Sequence, residues 1–393
     1  MTRRRCDIID EDFPTLCHCM SRCVRHAHLL SDDPDPVIAS ERRDWVFDDI
    51  IRAAKVLAVE VICVSVMGNH IHIIIFTRPD IVAEWSDEPC ARQWLEVYPP
   101  LKSGKRVPVT EEHVADILND YKYLDGVRRR LSSVGEFHKL VKQPTAKRAN
   151  KQDGVTGAFW SGRFKSKPIL DELALLATMV YVDLNPVRAG IAETPESSSH
   201  TSIQERIRLR QAYSLQQSYQ GRVPTNDQDG SWLCPFGGDP EMNPLAGVTL
   251  EDYLALVDWT GRIIRSDKRG AIDDARPPIL ERLGVEAGGW RGLLTALERE
   301  QPGSVIATTV AIAHEAARRR CKRLVNVLES FPVTLKRAVE QVSSIFEPPQ
   351  AEARLAPELI ELPKATNVVA DDSPFAIIRR RKRRQGSRPP GAG

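Results

Sequence analysis

The residues best placed to do chemistry lie in Val66-Met67-Gly68-Asn69-His70-Ile71-His72-Ile73-Ile74-Ile75-Phe76. The run is apolar and β-branched, which predicts a strand. Side chains on a strand alternate faces, so His70, His72, Ile74 and Phe76 share one face and Ile71, Ile73 and Ile75 the other. Two steps of strand rise put the histidine Cα atoms roughly 6.6 Å apart. Two imidazoles so spaced can lean onto one divalent ion, each nitrogen about 2.1 Å from it. A bare His-x-His reads just as well as two ordinary histidines at a strand entrance, each satisfied by a neighbour. The residues that accompany the pair decide between these readings.

The first companion is Tyr181, inside the apolar helix expected from Asp171 to Leu184. Phenols ionise near pH 10, so a tyrosine nucleophile needs help. A metal can provide it by polarising a scissile phosphate and stabilising the leaving oxygen. Attack then gives a covalent tyrosine–phosphate ester and splits strand transfer into two steps. Asn185 follows Tyr181 by four residues, one helical turn on and roughly on the same face. Its amide oxygen could complete a site begun by His70 and His72. Spacing alone favours plainer roles for both residues: Asn before Pro is a good N-cap for a following helix, and a tyrosine on an apolar helix packs into a core.

The second companion is Phe159-Trp160-Ser161-Gly162-Arg163-Phe164-Lys165-Ser166-Lys167. It alternates as a strand within 158–170, placing Arg163, Lys165 and Lys167 on one face. Such a face suits phosphates, or guards an exposed edge strand with charge. Phe159 and Trp160 could stack on bases while Arg163 and Lys165 hold phosphates; Trp160 reads equally as core. Arg22 falls on the face of the first strand that carries His18 and Met20. Net charge is only +2, yet residues 121–168 hold twelve Lys or Arg against three acids. A further basic run, Arg379-Arg380-Arg381-Lys382-Arg383-Arg384, sits near the end. This asymmetry points to a polyanion partner or to solvated basic helices.

The elements that must position these groups read as β-α-β-β. Thr15–Val24 is a first strand, and Ser40–Leu57 a helix with Ser40 as its cap. Val59–Met67 is a second strand that turns at Gly68-Asn69 into the histidine strand. Helices are expected over 80–97 and 111–141, a flexible basic loop over 143–157, and a charged helix over 201–219. Trp232–Phe236 and Tyr253–Ile264 look ordered, 307–323 helical, and the segment from about 344 disordered.

The chain has 393 residues, 42% apolar and 27% charged, which suits about two or three globular domains. No apolar run approaches the roughly 20 residues of a membrane helix, and Met1–Asp7 lacks an apolar signal core. A cytoplasmic, nucleoid-associated location is expected, with no membrane partner. The eight cysteines are scattered and read as small buried hydrophobes.

Taken in order, Met67–His72, Phe159–Ser166 and Tyr181–Gly190 together resemble the single-tyrosine HUH transposases of small insertion sequences, most closely the REP-associated branch. The resemblance covers about residues 14–205. It implies an α+β fold: a ferredoxin-like antiparallel sheet with helices on one face, carrying a basic insertion around 98–157. A helical extension over 206–343 and a basic tail over 344–393 would follow. It further implies Mg²⁺ or Mn²⁺ held by His70 and His72, with Asn185 where relatives place a polar third ligand, often glutamine. Tyr181 would attack single-stranded or hairpin DNA and become linked to the 5′ phosphate, in a monomer or a homodimer. The alternative is a domesticated or inactive protein that binds hairpins without cutting them. A metal hydrolase built on His-x-His alone would need neither Tyr181 nor the basic groove.

Overall fold

A computed structural model of the chain describes residues 9–31, 36–220, 232–240, 242–264 and 306. The helix expected over 307–323 and the tail from 344 lie outside those residues. Elements run β1 (Thr15–Arg22), α1 (Pro36–Val56), β2 (Val59–Val66), β3 (His70–Thr77), α2 (Pro79–Glu84), α3 (Asp87–Val97), β4 (Leu101–Lys102), β5 (Lys105–Arg106), α4 (Glu111–Asn119), α5 (Tyr121–Leu131), α6 (Val134–Gln152), β6 (Lys165–Ile169), α7 (Glu172–Asp183), α8 (Asn185–Arg188), α9 (Ser202–Gln220) and α10 (Leu250–Ile264).

Four strands form one antiparallel sheet in the order β2-β3-β1-β6. The fold is α+β, as expected. On one face Cys17, Cys19, Ile71, Ile73 and Ile75 are buried in a core shared with α1 and α6. On the other, Leu16, Ile74 and Phe76 pack against α7. Helices therefore cover both faces, not one. The sequence reason is that β3 is apolar on both sides, so each side must be covered to keep its isoleucines from water. In β2 a register shift between Val61 and Cys63 lets Ile62 and Cys63 both join the α7 side. Fully burying Phe76 or Ile74 contributes about 1.5–3 kcal/mol each.

Several local expectations change. α1 begins at Pro36, a residue whose fixed φ suits a first helical position, so Ser40 lies inside the helix and does not cap it. The helix expected over 80–97 is two, α2 and α3, parted at Trp85 and Ser86. The helix expected over 111–141 is cut by two capping residues. Asp120 accepts a hydrogen bond from Tyr123 N–H, and Ser133 accepts one from Gly135 N–H. The expected flexible loop over 143–157 is mostly α6, which accommodates Pro144 and continues to Gln152. Tertiary contact holds it there: Arg148 pairs with Asp49 of α1, and Arg42 pairs with Asp153 and donates to Gln152 Oε1 at 2.7 Å.

Both edges of the sheet meet further backbone over part of their length. Val64 N–H of β2 donates to Ser202 Oγ at 2.9 Å, and Cys234 N–H donates to Val61 O at 2.8 Å. Ile306 bridges Ile169 of β6. The six described cysteines are all buried and unbridged, as expected of small hydrophobes. No helix among the described residues is long and apolar enough to cross a membrane.

Candidate active site

Register decides what faces Tyr181. β1 and β3 pair Arg22 with His70, Met20 with His72 and His18 with Ile74. β1 and β6 pair His18 with Lys167 and Met20 with Lys165. Directly opposed residues share a face, so His70, His72, His18, Arg22, Lys165 and Lys167 all lie on the α7 side of the sheet. The strand residues below them, Leu16, Ile74, Phe76 and Ile169, are the apolar floor on which α7 rests. One face thus changes along its length from core to a basic, histidine-bearing surface.

α7 delivers the tyrosine. Asp171 caps it, as expected, accepting from Ala174 N–H at 2.9 Å. Almost every side chain from Leu173 to Asp183 is buried, while Tyr181 is only half-buried. Its ring centroid lies 5.6 Å from that of His72 and 6.2 Å from that of His18, both edge-on. His70 and His72 are 4.9 Å apart with rings nearly perpendicular. The Arg188 guanidinium sits 5.3 Å above the Tyr181 ring, where its charge favours a developing phenolate.

The histidines are tied from behind. His72 Nδ1 and His18 Nε2 are 2.9 Å apart, and their rings stack with centroids 5.1 Å apart. His70 Nδ1 is 2.5 Å from Asn69 Oδ1. Burial, then the Lys167 charge, pulls His18 down to about 3. Burial holds His72 well below the usual imidazole range, helped by His18, His70, Arg22 and Lys167. Both rings are therefore neutral at pH 7, the state in which imidazole binds a metal.

The turn feeding β3 is tight at Gly68, where an added side chain would force Ser31 and His28 to move. A Cβ on Gly68 would lie 2.0 Å from Ser31 Oγ and 2.9 Å from His28 Nδ1, because Leu30 N–H donates to Gly68 O at 2.8 Å and draws that segment in. Gly68→Ala is expected to cost about 1–3 kcal/mol, read as a lower urea midpoint.

Asn185 opens α8, with Leu184 at the cap position. The plainer N-cap role is therefore Leu184's place. Asn185 is half-buried, as are Tyr181 and Arg188, and the three recur at helical spacing along one side.

Two parts of the basic segment differ from expectation. β6 starts at Lys165, so Arg163 is not on the strand with Lys165 and Lys167. Trp160 bridges Cys23 while Lys165 pairs with Met20, so extra residues bulge out between them. Gly162, at φ +122, makes the turn, and exposed Arg163 is carried off the sheet. Trp160 is core, which corrects the base-stacking role. It is 8% exposed, and its indole N–H donates to Lys142 O at 3.0 Å. Phe159 is buried too, and Phe164 stacks on His138 at 3.8 Å.

The charge excess over 121–168 is also partly spent inside the fold. Arg128 pairs with Asp87, Arg129 with Asp125, Lys139 with Glu136 and Arg148 with Asp49. The basic groups that share the Tyr181 face are Arg22, Lys165 and Lys167.

Sequence reasoning missed three residues: His18, Asn69 and Arg188. Arg188 carried a usable signal, its position seven residues after Tyr181, two helical turns on. The place of His18 diagonal to His72 required the strand register, which sequence does not print.

Among the described residues, no three His, Cys, Asp or Glu side chains are gathered to hold a metal. Of the expected donors, His70 and His72 lie side by side, and Asn185 opens the helix that follows the one carrying Tyr181.

No family model matches the sequence, and no curated protein matches it. A solved REP-associated tyrosine transposase bound to a REP hairpin aligns over 55% of this chain and 91% of its own, with 12% identity and a TM-score of 0.29. At that score the likeness adds no weight to a functional argument.

Proposed function

We propose that this chain is a metal-dependent DNA transposase that nicks and rejoins single-stranded or hairpin DNA through Tyr181. One observation carries the reading: the half-buried Tyr181 ring lies 5.6 Å from His72, over a sheet face that also presents His70, Arg22, Lys165 and Lys167. A core tyrosine would need neither neutral imidazoles nor cations beside it.

Arg22, Lys165 and Lys167 bind the DNA backbone as positive charges flanking the histidines. Tyr181 Oη attacks phosphorus and loses its proton to solvent. The bond from phosphorus to the 3′ oxygen breaks, and that oxygen takes up a proton to leave as a 3′ hydroxyl. The 5′ phosphate stays esterified to Tyr181. A later 3′ hydroxyl reverses the steps and releases the tyrosine. Arg188 favours the phenolate. His70, His72 and Asn185 would hold Mg²⁺ or Mn²⁺, which supplies charge stabilisation at the scissile phosphate. Imidazole donors favour the manganese end of that choice, since Mg²⁺ prefers all-oxygen sites.

The test mixes the protein with labelled hairpin DNA from the repeats flanking its own gene, with and without Mn²⁺ or Mg²⁺. Metal-dependent cleavage supports the reading. Tight binding without cleavage across several hairpins would favour a DNA-binding protein that no longer cuts. The cations are tested separately. Reversing Lys165 and Lys167 to Glu is expected to weaken single-strand binding and to flatten the plot of log affinity against log salt by about 1.4, from two lost phosphate contacts. An unchanged slope would remove them from the interface.

A further inference from the structure

The β4–β5 ribbon has features that its own stability does not explain. Leu101 pairs with Arg106 and Lys102 with Lys105, and the strands join through Ser103 at φ +52 and Gly104 at φ +76. Two successive positive φ angles belong to the tight hairpin turn that matches strand twist. Residues 101–106 are all exposed, Leu101 at 65%. A two-stranded ribbon alone is marginally stable in water, and like charges directly opposite weaken it further. The register nevertheless sets Lys102 against Lys105. Residues 98–110 hold three cations and no acid, and Glu111, the first acid to follow, is paired with Arg92.

Directly opposed residues share a face, and successive residues alternate. Lys102 and Lys105 therefore project from one face of the ribbon, and Arg106 from the other with Leu101. A flat anionic surface meets cations on one face only; a groove walled by phosphates on both sides meets both. The major groove of a B-form duplex, about 12 Å wide, admits a two-stranded ribbon. The root of the ribbon is fixed to α6. Tyr98, at the end of α3, donates its hydroxyl to Glu136, and Lys139 Nζ lies 4.6 Å over its ring. Lys142, on the same helix, donates to Gly162 O at 2.8 Å. The helix rises about 9 Å from Glu136 to Lys142, so α6 ties the ribbon root to the turn that leads into Lys165 and Lys167.

We infer that β4–β5 is a second DNA contact, a ribbon that enters the major groove of a duplex stem and holds its phosphates with Lys102, Lys105 and Arg106. The inference deepens the proposed function and rests on it for the choice of DNA: β6 takes the unpaired strand at Tyr181, and the ribbon takes the paired stem.

The test is fluorescence anisotropy of the full chain without added metal, so that binding is read apart from cleavage. The probes are a labelled hairpin from the repeats flanking its own gene and an unpaired strand of the same length. With Lys102, Lys105 and Arg106 all changed to Gln, the plot of log affinity against log salt for the hairpin is expected to flatten by about 2.7, from three lost duplex phosphate contacts. Lys105→Gln alone is expected to flatten it by about 0.9. The unpaired strand should keep its slope. Both variants should melt no lower than wild type, because the opposed lysines repel. An unchanged hairpin slope would overturn the inference, and so would equal flattening on both probes. Flattening confined to the hairpin in a protein that never cleaves would overturn the transposase reading and leave the ribbon standing. Cleavage with an unchanged slope would do the reverse, and a wild type that binds no hairpin would overturn both.

Discussion

His72→Ala is expected to lower metal-dependent strand cleavage by about 10³-fold or more. A metal contributes several kcal/mol of charge stabilisation in the transition state, and each 1.36 kcal/mol is tenfold in rate. His72 is the ring nearest both the tyrosine and the second histidine, at 5.6 Å and 4.9 Å. Burial holds it, like His18, below the usual imidazole range. Its removal takes away a donor and the wall beside Tyr181 together. The rate should fall without a matching loss of DNA affinity, since Arg22, Lys165 and Lys167 remain. Single-turnover cleavage and a binding isotherm on the same variant separate the two effects. A melting curve close to wild type excludes unfolding as the cause. A variant that cleaves within tenfold of wild type would place the chemistry elsewhere.

Asp183→Ala is expected to be the most damaging change to stability, by about 3–5 kcal/mol. Asp183 is fully buried, two residues beyond the tyrosine. Its Oδ1 accepts from Ser202 Oγ at 2.6 Å and from Ile203 N–H at 3.1 Å, and its Oδ2 accepts from Tyr253 OH at 2.5 Å. Three elements, α7, α9 and α10, therefore meet on one carboxyl group. Alanine would leave Ile203 N–H and Tyr253 OH buried without that acceptor, each costing about 1–3 kcal/mol, whereas Ser202 Oγ keeps Val64 O at 3.3 Å within reach. Asp183→Asn should cost much less. Burial raises the Asp183 carboxyl above its ordinary range despite these bonds, so a neutral amide of the same shape is a fair replacement. Urea unfolding of both variants checks the ordering; equal losses would contradict it. The network also holds the end of α7, and so bears on where Tyr181 sits.

These two residues mark what sequence can and cannot show. The histidine strand, its hairpin, the Asp171 cap and the apolar run of α7 were legible, because each is written in local periodicity or a single capping side chain. The position of His72 beside Tyr181 followed once α7 covered the sheet. That α7 lies on the face opposite α1 and α6 was not legible, since β3 is apolar on both sides and its pattern names no partner. The second half of α6, from Gln143, reads as a loop because Pro144 and its polar run dominate locally, whereas the pairs to α1 that stabilise it are distant in sequence. Simple alternation aligns Arg163 with Lys165, and the bulge at Gly162 breaks it. Aromatic type alone does not reveal that Trp160 and Phe159 are buried. The Asp183 network was invisible for the same reason, joining residues 19 and 70 positions apart.

The most direct test of the central claim is the chemical identity of the nucleophile. The full-length protein is incubated with 5′- and 3′-labelled hairpin DNA and Mn²⁺, then denatured, digested with protease and read by mass spectrometry. A nucleotide attached through its 5′ phosphate to the peptide containing Tyr181, absent from Tyr181→Phe, is the expected result. Metal-dependent cleavage that persists in Tyr181→Phe with no adduct on any peptide would mean that water attacks the phosphate, and would contradict the tyrosine mechanism.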